Sequence, residues 1–287
     1  MTLQSRLKKT VPERLKKIYR RVRPRGLRLY LKAFRYRKAL AATDTYCMFV
    51  GYGRSGHSLL GQFINAHRAA VIAHEAHALR YLQRGYGWRQ IYALLLERDE
   101  KFARRGRRWN EYKYSVPGLS QGRHDTLKVI GDKKGGGSTA LLAQHPEVFD
   151  LLRNSPLPLR VIHHVRHPYD NISSIARRED RSLDEAVRKY FRWAGNAAHH
   201  VERFEQIPEA HTIETHHEDL VRNPEQVLAR ICRFLKLEVY EKYLTSCADE
   251  VFESPRQSRD KVDWSADQRE VVGEQAEAFP FLRRYEF

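Results

Sequence analysis

Leu3, Leu7, Val11, Leu15, Ile18 and Val22 recur every three or four positions, which lines one face of a helix. Thr10 and Glu13 have capping-box spacing, and Pro12 is tolerated in a first helical turn. A second segment, residues 27–40, interleaves Leu29, Tyr30, Leu31, Phe34 and Tyr36 with five Lys or Arg. The pattern changes after Thr45. Residues 46–50 form a short apolar run that ends in glycines, as a buried strand does. Helical spacing follows over 58–67 through Leu59, Leu60, Phe63 and Ile64. Residues 69–73, 126–130, 159–165 and 211–215 read as further strands. Helical patterns lie between and after them, over 138–153, 168–178, 183–204 and 224–237. Ser182 with Glu185, and Ser265 with Gln268 before the last helix, repeat the capping-box spacing. The polar, Arg/Gly-rich stretch 104–124 reads as loop. Strands alternating with helices predict an α/β fold: a single domain with a central, mostly parallel sheet flanked by helices. Residues 1–40 form a basic helical arm on this reading, and 41–287 the domain.

Composition changes this picture mainly at the arm. The 287 residues carry 52 Lys plus Arg against 35 Asp plus Glu, a formal net charge of +17. Residues 1–40 hold 15 of the basic side chains and one acid, Glu13, so +14 belongs to the arm. The body is nearly neutral, whereas a nucleic-acid-binding face would show in it as well; no nucleic acid is expected. The arm reads either as a basic amphipathic segment on an anionic membrane surface, or as a solvated helix packed on the body. No apolar run reaches the roughly 18–20 residues of a membrane span, and no apolar stretch behind the basic start suggests a cleaved signal. Cys47, Cys232 and Cys247 form neither a disulfide framework nor a zinc pattern. A reducing, cytoplasmic setting is expected, with contact at the inner membrane surface if the arm docks there.

Candidate chemistry begins after the first strand, at Gly51-Tyr52-Gly53-Arg54-Ser55-Gly56-His57-Ser58. A glycine-rich turn opening a helix offers backbone N–H groups to a phosphate. Gly51, Gly53 and Gly56 spell G-x-G-x-x-G, and Glu75 stands 19 residues after Gly56, which is the dinucleotide fingerprint of an NAD(P)-binding oxidoreductase. That reading remains the alternative. Arg54, Ser55, His57 and Ser58 crowd the loop with donors, which suits a terminal, highly charged group better than a pyrophosphate. A second strand-to-helix junction runs from Val165-Arg166-His167-Pro168 to Ser174. An Arg at the strand end and a Ser two helical turns later can converge on one phosphate.

Together the two elements resemble the sulfotransferase superfamily, which uses 3′-phosphoadenosine 5′-phosphosulfate (PAPS) and releases 3′,5′-adenosine bisphosphate (PAP). The 5′-phosphosulfate loop of that family is similar to residues 53–60, and its 3′-phosphate motif to Val165 through Asp170, continuing to Ser174. Gly131-Asp132-Lys133 and the stretch 216–224 also look like family segments. The match is nearest to bacterial members and to the tyrosylprotein-sulfotransferase-like branch. His57 and Ser58 replace the usual Thr-Thr.

The resemblance implies a sheet like that of P-loop nucleotide kinases. It implies Glu75 as general base toward an acceptor hydroxyl; a carbohydrate, lipid, small alcohol or tyrosine would offer one, and with no anchor or signal read in the sequence the first three are expected before a protein tyrosine. Burial in a closed site would raise the Glu75 pKa toward usefulness. Arg54, Ser55, Gly56, His57 and Ser58 would hold the phosphosulfate, with Lys133 as a second cation. Arg166 and Ser174 would hold the 3′-phosphate, joined by Arg256 and Arg259 of a basic lid; a plain charged loop is the other reading of that lid. The mechanism needs no metal. The histidine pairs at 163–164, 199–200 and 216–217 lack zinc spacing.

Overall fold

The computed structural model describes Pro12 and residues 24–109, 112–251 and 253–287. The helical pattern over the first 22 positions, with its Thr10 and Glu13 box, lies outside the described residues.

Five parallel strands form the centre. They are β1 (Thr45–Val50), β2 (Ala70–Ala73), β5 (Val129–Asp132), β6 (Leu159–Val165) and β7 (Ala210–His216); β3 (Arg108–Trp109) and β4 (Tyr112–Lys113) form a separate antiparallel hairpin. Every residue of β1, β2, β5 and β6 is buried, because helices cover both faces. Alternation divides β1 between two cores. Tyr46, Met48 and Val50 join the cluster on one face, and Cys47 and Phe49 the cluster on the other. The three cysteines are free and buried.

The strand order is β2-β5-β1-β6-β7. In the dinucleotide-binding fold the strand bearing the ribose acid pairs directly with β1. Here β5 stands between β1 and β2, in register with both at Thr45 and Ala70 through Val129. The oxidoreductase alternative therefore lacks its topology, although its glycines and acid are all present. The order reverses at β1, so the loops leaving the carboxyl ends of β1, β5 and β6 converge on one crevice, where ligands of open α/β sheets bind.

Twelve helices are described. They are α1 (Pro24–Arg35), α2 (His57–Ala66), α3 (Ala78–Gln83), α4 (Trp88–Arg104), α5 (Gly135–Gln144), α6 (Val148–Arg153), α7 (Pro168–Glu179), α8 (Leu183–Glu205), α9 (His217–Arg222), α10 (Pro224–Phe234), α11 (Glu241–Ala248) and α12 (Ala266–Glu277). The pattern over 138–153 is two helices, not one, because Pro146 interrupts it. Ser182 and Ser265 form the expected capping boxes on α8 and α12. α3, α4 and α11 were not legible: α4 buries Gln90, Glu97 and Asp99 among its leucines, α3 is only six residues long, and α11 buries only Tyr243 and Cys247.

The second arm segment belongs to the packed body. On α1, Leu29 is fully buried, Gln90 donates to the Gly26 carbonyl at 2.8 Å, and Arg28 and Lys32 meet the buried Glu97 carboxylate at 3.0 and 3.2 Å. Its other face leaves Leu27, Tyr30, Leu31 and Phe34 51–66% exposed. No helix among the described residues is long and apolar enough to cross a membrane.

Candidate functional site

The glycine loop leaves β1 through Gly51, whose N–H donates to Thr139 Oγ1 on α5 at 2.9 Å. Arg54 and Gly56 adopt positive φ, 69° and 89°, and a Cβ at position 56 would collide with His217. Glycine is required there by conformation and by space. Among the described residues, the backbone N–H groups from Gly53 to Ser58 donate to no protein acceptor. Such a row of unpartnered donors at a helix start is an anion cradle.

Two expected loop donors turn inward. Ser55 is fully buried; its hydroxyl donates to the Tyr52 carbonyl at 2.7 Å and accepts from Asn171 Nδ2 at 3.2 Å. The His57 imidazole packs against Phe49 and His164 with Nε2 3.2 Å from the Val50 carbonyl. Burial lowers its pKa to about 3, so it stays neutral. Both side chains brace the loop from below, and only their backbone N–H groups remain available to an anion. Gly135 and Gly136 let the start of α5 approach: a Cβ at 135 would strike His57, and one at 136 would press on the Gly53 nitrogen.

Beside the loop, the ends of β2 and β5 bring opposite charges together. Lys133 is buried; its Nζ donates to Ser58 Oγ at 2.8 Å and to Glu75 Oε1 at 3.2 Å. Lys134 pairs with the other Glu75 oxygen. Burial pushes the Glu75 carboxyl upward, as expected, but Lys133 and Lys134 together outweigh it and hold the pKa at about 2. The expectation of a raised value is corrected: two cations, not one, face this acid. Burial in turn lowers Lys133, opposed by Glu75.

Glu75 sits at φ 51°, in the left-handed region. Asp132 supports that turn, its two carboxylate oxygens accepting the N–H groups of Ala76 and Ala78 at 2.9 and 2.7 Å. Lys134 was missed, although a second Lys at a strand end was there to be read. Tyr114 was also missed: from the stretch expected to be plain loop it lines a small cavity together with Ser58 and Lys133.

The second junction closes the other side. Arg166 Nη1 donates to the Arg54 carbonyl at 3.1 Å, and Nη2 to the Arg256 carbonyl at 2.8 Å and Ser258 Oγ at 3.2 Å. Its Nε is buried without a partner. Ser174 meets Arg54, whose Nε donates to its hydroxyl at 3.3 Å. Arg54, Arg166 and Ser174 are thus one cluster, linked through Arg54. The lid residues reach it by different routes. Arg256 contributes its carbonyl and donates to Tyr112 at 3.3 Å, and Arg259 is held by Asp170 at 3.1 Å. Ser258 was not singled out, being an ordinary serine in a charged stretch.

A fit to a doubly anionic nucleotide follows from the donor set. The unpartnered loop amides are one set of free donors, and the orphaned Arg166 Nε, on a side chain bonded to the Arg54 carbonyl, is a second.

Residues 48–242 match the Sulfotransferase family. Among solved structures, the sulfotransferase domain of the Synechococcus PCC 7002 olefin synthase is similar with a TM-score of 0.50 at 16% identity, covering 82% of this chain and 94% of that one. The sulfotransferase from Alicyclobacillus acidocaldarius gives 0.44 at 16% identity, over 85% and 97%. Mouse sulfotransferase SULT7A1, solved in complex with PAP, gives 0.44 at 13% identity, over 84% of each chain. At such identities the likeness is one of fold. No curated protein sequence matches.

Proposed function

The chain belongs to the sulfotransferase family, and on that premise we propose that it moves a sulfuryl group from PAPS to an acceptor hydroxyl, with Glu75 as the general base. The observation that carries this reading is the row of unpartnered N–H groups from Gly53 to Ser58, with Lys133 and Glu75 at its mouth.

PAPS supplies the transferred group: an acceptor oxygen–sulfur bond forms as the bond from sulfur to the 5′-phosphate oxygen breaks, leaving the electron pair on the phosphate. The chain supplies alignment and charge. Loop amides, Arg54 and Ser58 bind the anion. Lys133, already touching Ser58, shifts its charge toward the leaving oxygen. As Lys133 turns from Glu75, the carboxylate regains basicity and accepts the acceptor's proton. Arg166 and Ser174 hold the 3′-phosphate, with Ser258 and the lid arginines beside them.

Thermal shift tests the donor assignment. PAP at about a hundred times its Kd should stabilise the protein by about 2.7 kcal/mol, and NAD at the same concentration should not. Equal shifts from both, or none from PAP, would remove PAPS from the reading.

The same reading lays the basic N-terminus on an anionic membrane surface. Its support is the charge of residues 1–23, nine Lys or Arg with one acid, and the exposed Leu27, Tyr30, Leu31 and Phe34 that continue it on α1.

A further inference from the structure

A groove of about 380 Å³ runs between α3 and α5. Its lining includes Arg80, Arg84, Lys134, His77 and His145 and contains no Asp or Glu. The carboxylates paired with lining groups are Glu75, on Lys134, and Glu147, 3.2 Å from His145. Among the described residues the guanidinium groups of Arg80 and Arg84 make no ion pair. They are four positions apart at the end of α3, so they share a face. Lys134 belongs to both places: it lines the groove, and its ammonium pairs with Glu75. Through Lys134 the groove adjoins the proposed base, whose other carboxylate oxygen faces Lys133.

We infer that this groove holds the acceptor, and that the acceptor carries an anionic group (a carboxylate, phosphate or sulfate) on the same molecule as its hydroxyl. The inference rests on the sulfuryl-transfer reading. Two arginines on one helical face bind an oxyanion with forked, charge-assisted hydrogen bonds. A neutral acceptor would leave three cations side by side with only the Glu75 carboxylate among them. Anchored at Arg80 and Arg84, the acceptor would present its hydroxyl at the Lys134 end, where Glu75 accepts the proton. The groove selects the acceptor's charge, and the loop across Glu75 selects the donor.

The test uses the full chain and matched ligands: glucose, glucuronate and glucose 6-phosphate. Binding is read by calorimetry without donor, and then transfer is read from radiolabelled PAPS. The expected result is that the two anionic sugars bind about tenfold or more tightly than glucose, and that Arg80→Glu with Arg84→Glu removes that preference. The same variant should leave the PAP thermal shift unchanged, which separates this site from the donor site. In transfer, the variant should raise KM for the anionic sugars with kcat held within a few fold. Equal binding of glucose and its anionic partners, or a preference that survives the double charge reversal, would overturn the assignment. Loss of the PAP shift in the variant would overturn it too, by giving these arginines to the nucleotide. Absence of any PAP shift in the unsubstituted protein would instead sink the donor reading, while the binding comparison would still decide the groove.

Discussion

Glu75 reaches its position by local strain and by neighbours. A glutamate at φ 51° is disfavoured on its own, and the Asp132 carboxylate pinning Ala76 and Ala78 holds the turn. Glu75→Gln should lower kcat by about 10²–10⁴-fold, the usual share of a general base. PAP binding should be as tight or tighter, because Lys133 and Lys134 lose their counter-charge. Undiminished turnover in that variant would end the assignment. The pH dependence follows from the same pair of lysines. The folded pKa of about 2 lies below the ordinary 4.5, so the ion pairs stabilise the fold above 4.5, and that contribution is lost as pH falls through 2. Glu75 is thus ionised at every working pH. The acid side of the kcat/KM profile should be flat down to about pH 5. A limb near pH 6 that vanishes in Glu75→Gln would contradict the cation-held carboxylate.

At the scale of elements, the hairpin over the site depends on one buried ion pair. Arg107 donates to both Asp99 oxygens at 2.7 and 2.8 Å, and both side chains are almost fully buried. The Arg107 carbonyl accepts from the Tyr114 N–H at 2.9 Å, which anchors the chain just after β4, where Tyr114 faces the cavity it shares with Ser58. Asp99→Ala strands a buried guanidinium and should cost about 3–5 kcal/mol in urea unfolding. A loss under 1 kcal/mol would mean that Arg107 finds water instead. The hairpin was not legible because its charged, glycine-rich residues have no alternating pattern, and the order comes from Asp99 on α4, several residues away.

At the scale of the whole molecule, the charge is divided by function. The excess sits in the first forty residues; the body is nearly neutral, and among its cations Arg54, Lys133 and Arg166 stand at the candidate site and Arg80 and Arg84 in the groove. Vesicles of phosphatidylserine and phosphatidylcholine should bind the full chain, with about 1 kcal/mol from each basic side chain near the surface and release at high salt. Deleting residues 1–23, or replacing Leu31 and Phe34 with Ser, should weaken binding while leaving the PAP shift intact. Binding indifferent to both changes would detach the arm from membranes. The deletion stops before α1 because Leu29 lies in the core.

The sequence by itself determined the alternation of strands and helices, and with it the parallel sheet. Hydrophobic period and capping residues are local properties, so neighbours in the chain suffice to state them. It also located the glycine loop whose N–H groups stand unpartnered, because glycines at a strand end constrain the backbone before any packing occurs. Strand order was decided only in three dimensions, where β5 inserts between β1 and β2 and separates this crevice from a dinucleotide site that the same glycines and acid could have served. The environment of Glu75 was decided there too. Lys133 and Lys134 lie nearly sixty residues downstream, and only the pairing of β2 with β5 brings them to the acid and sets its charge.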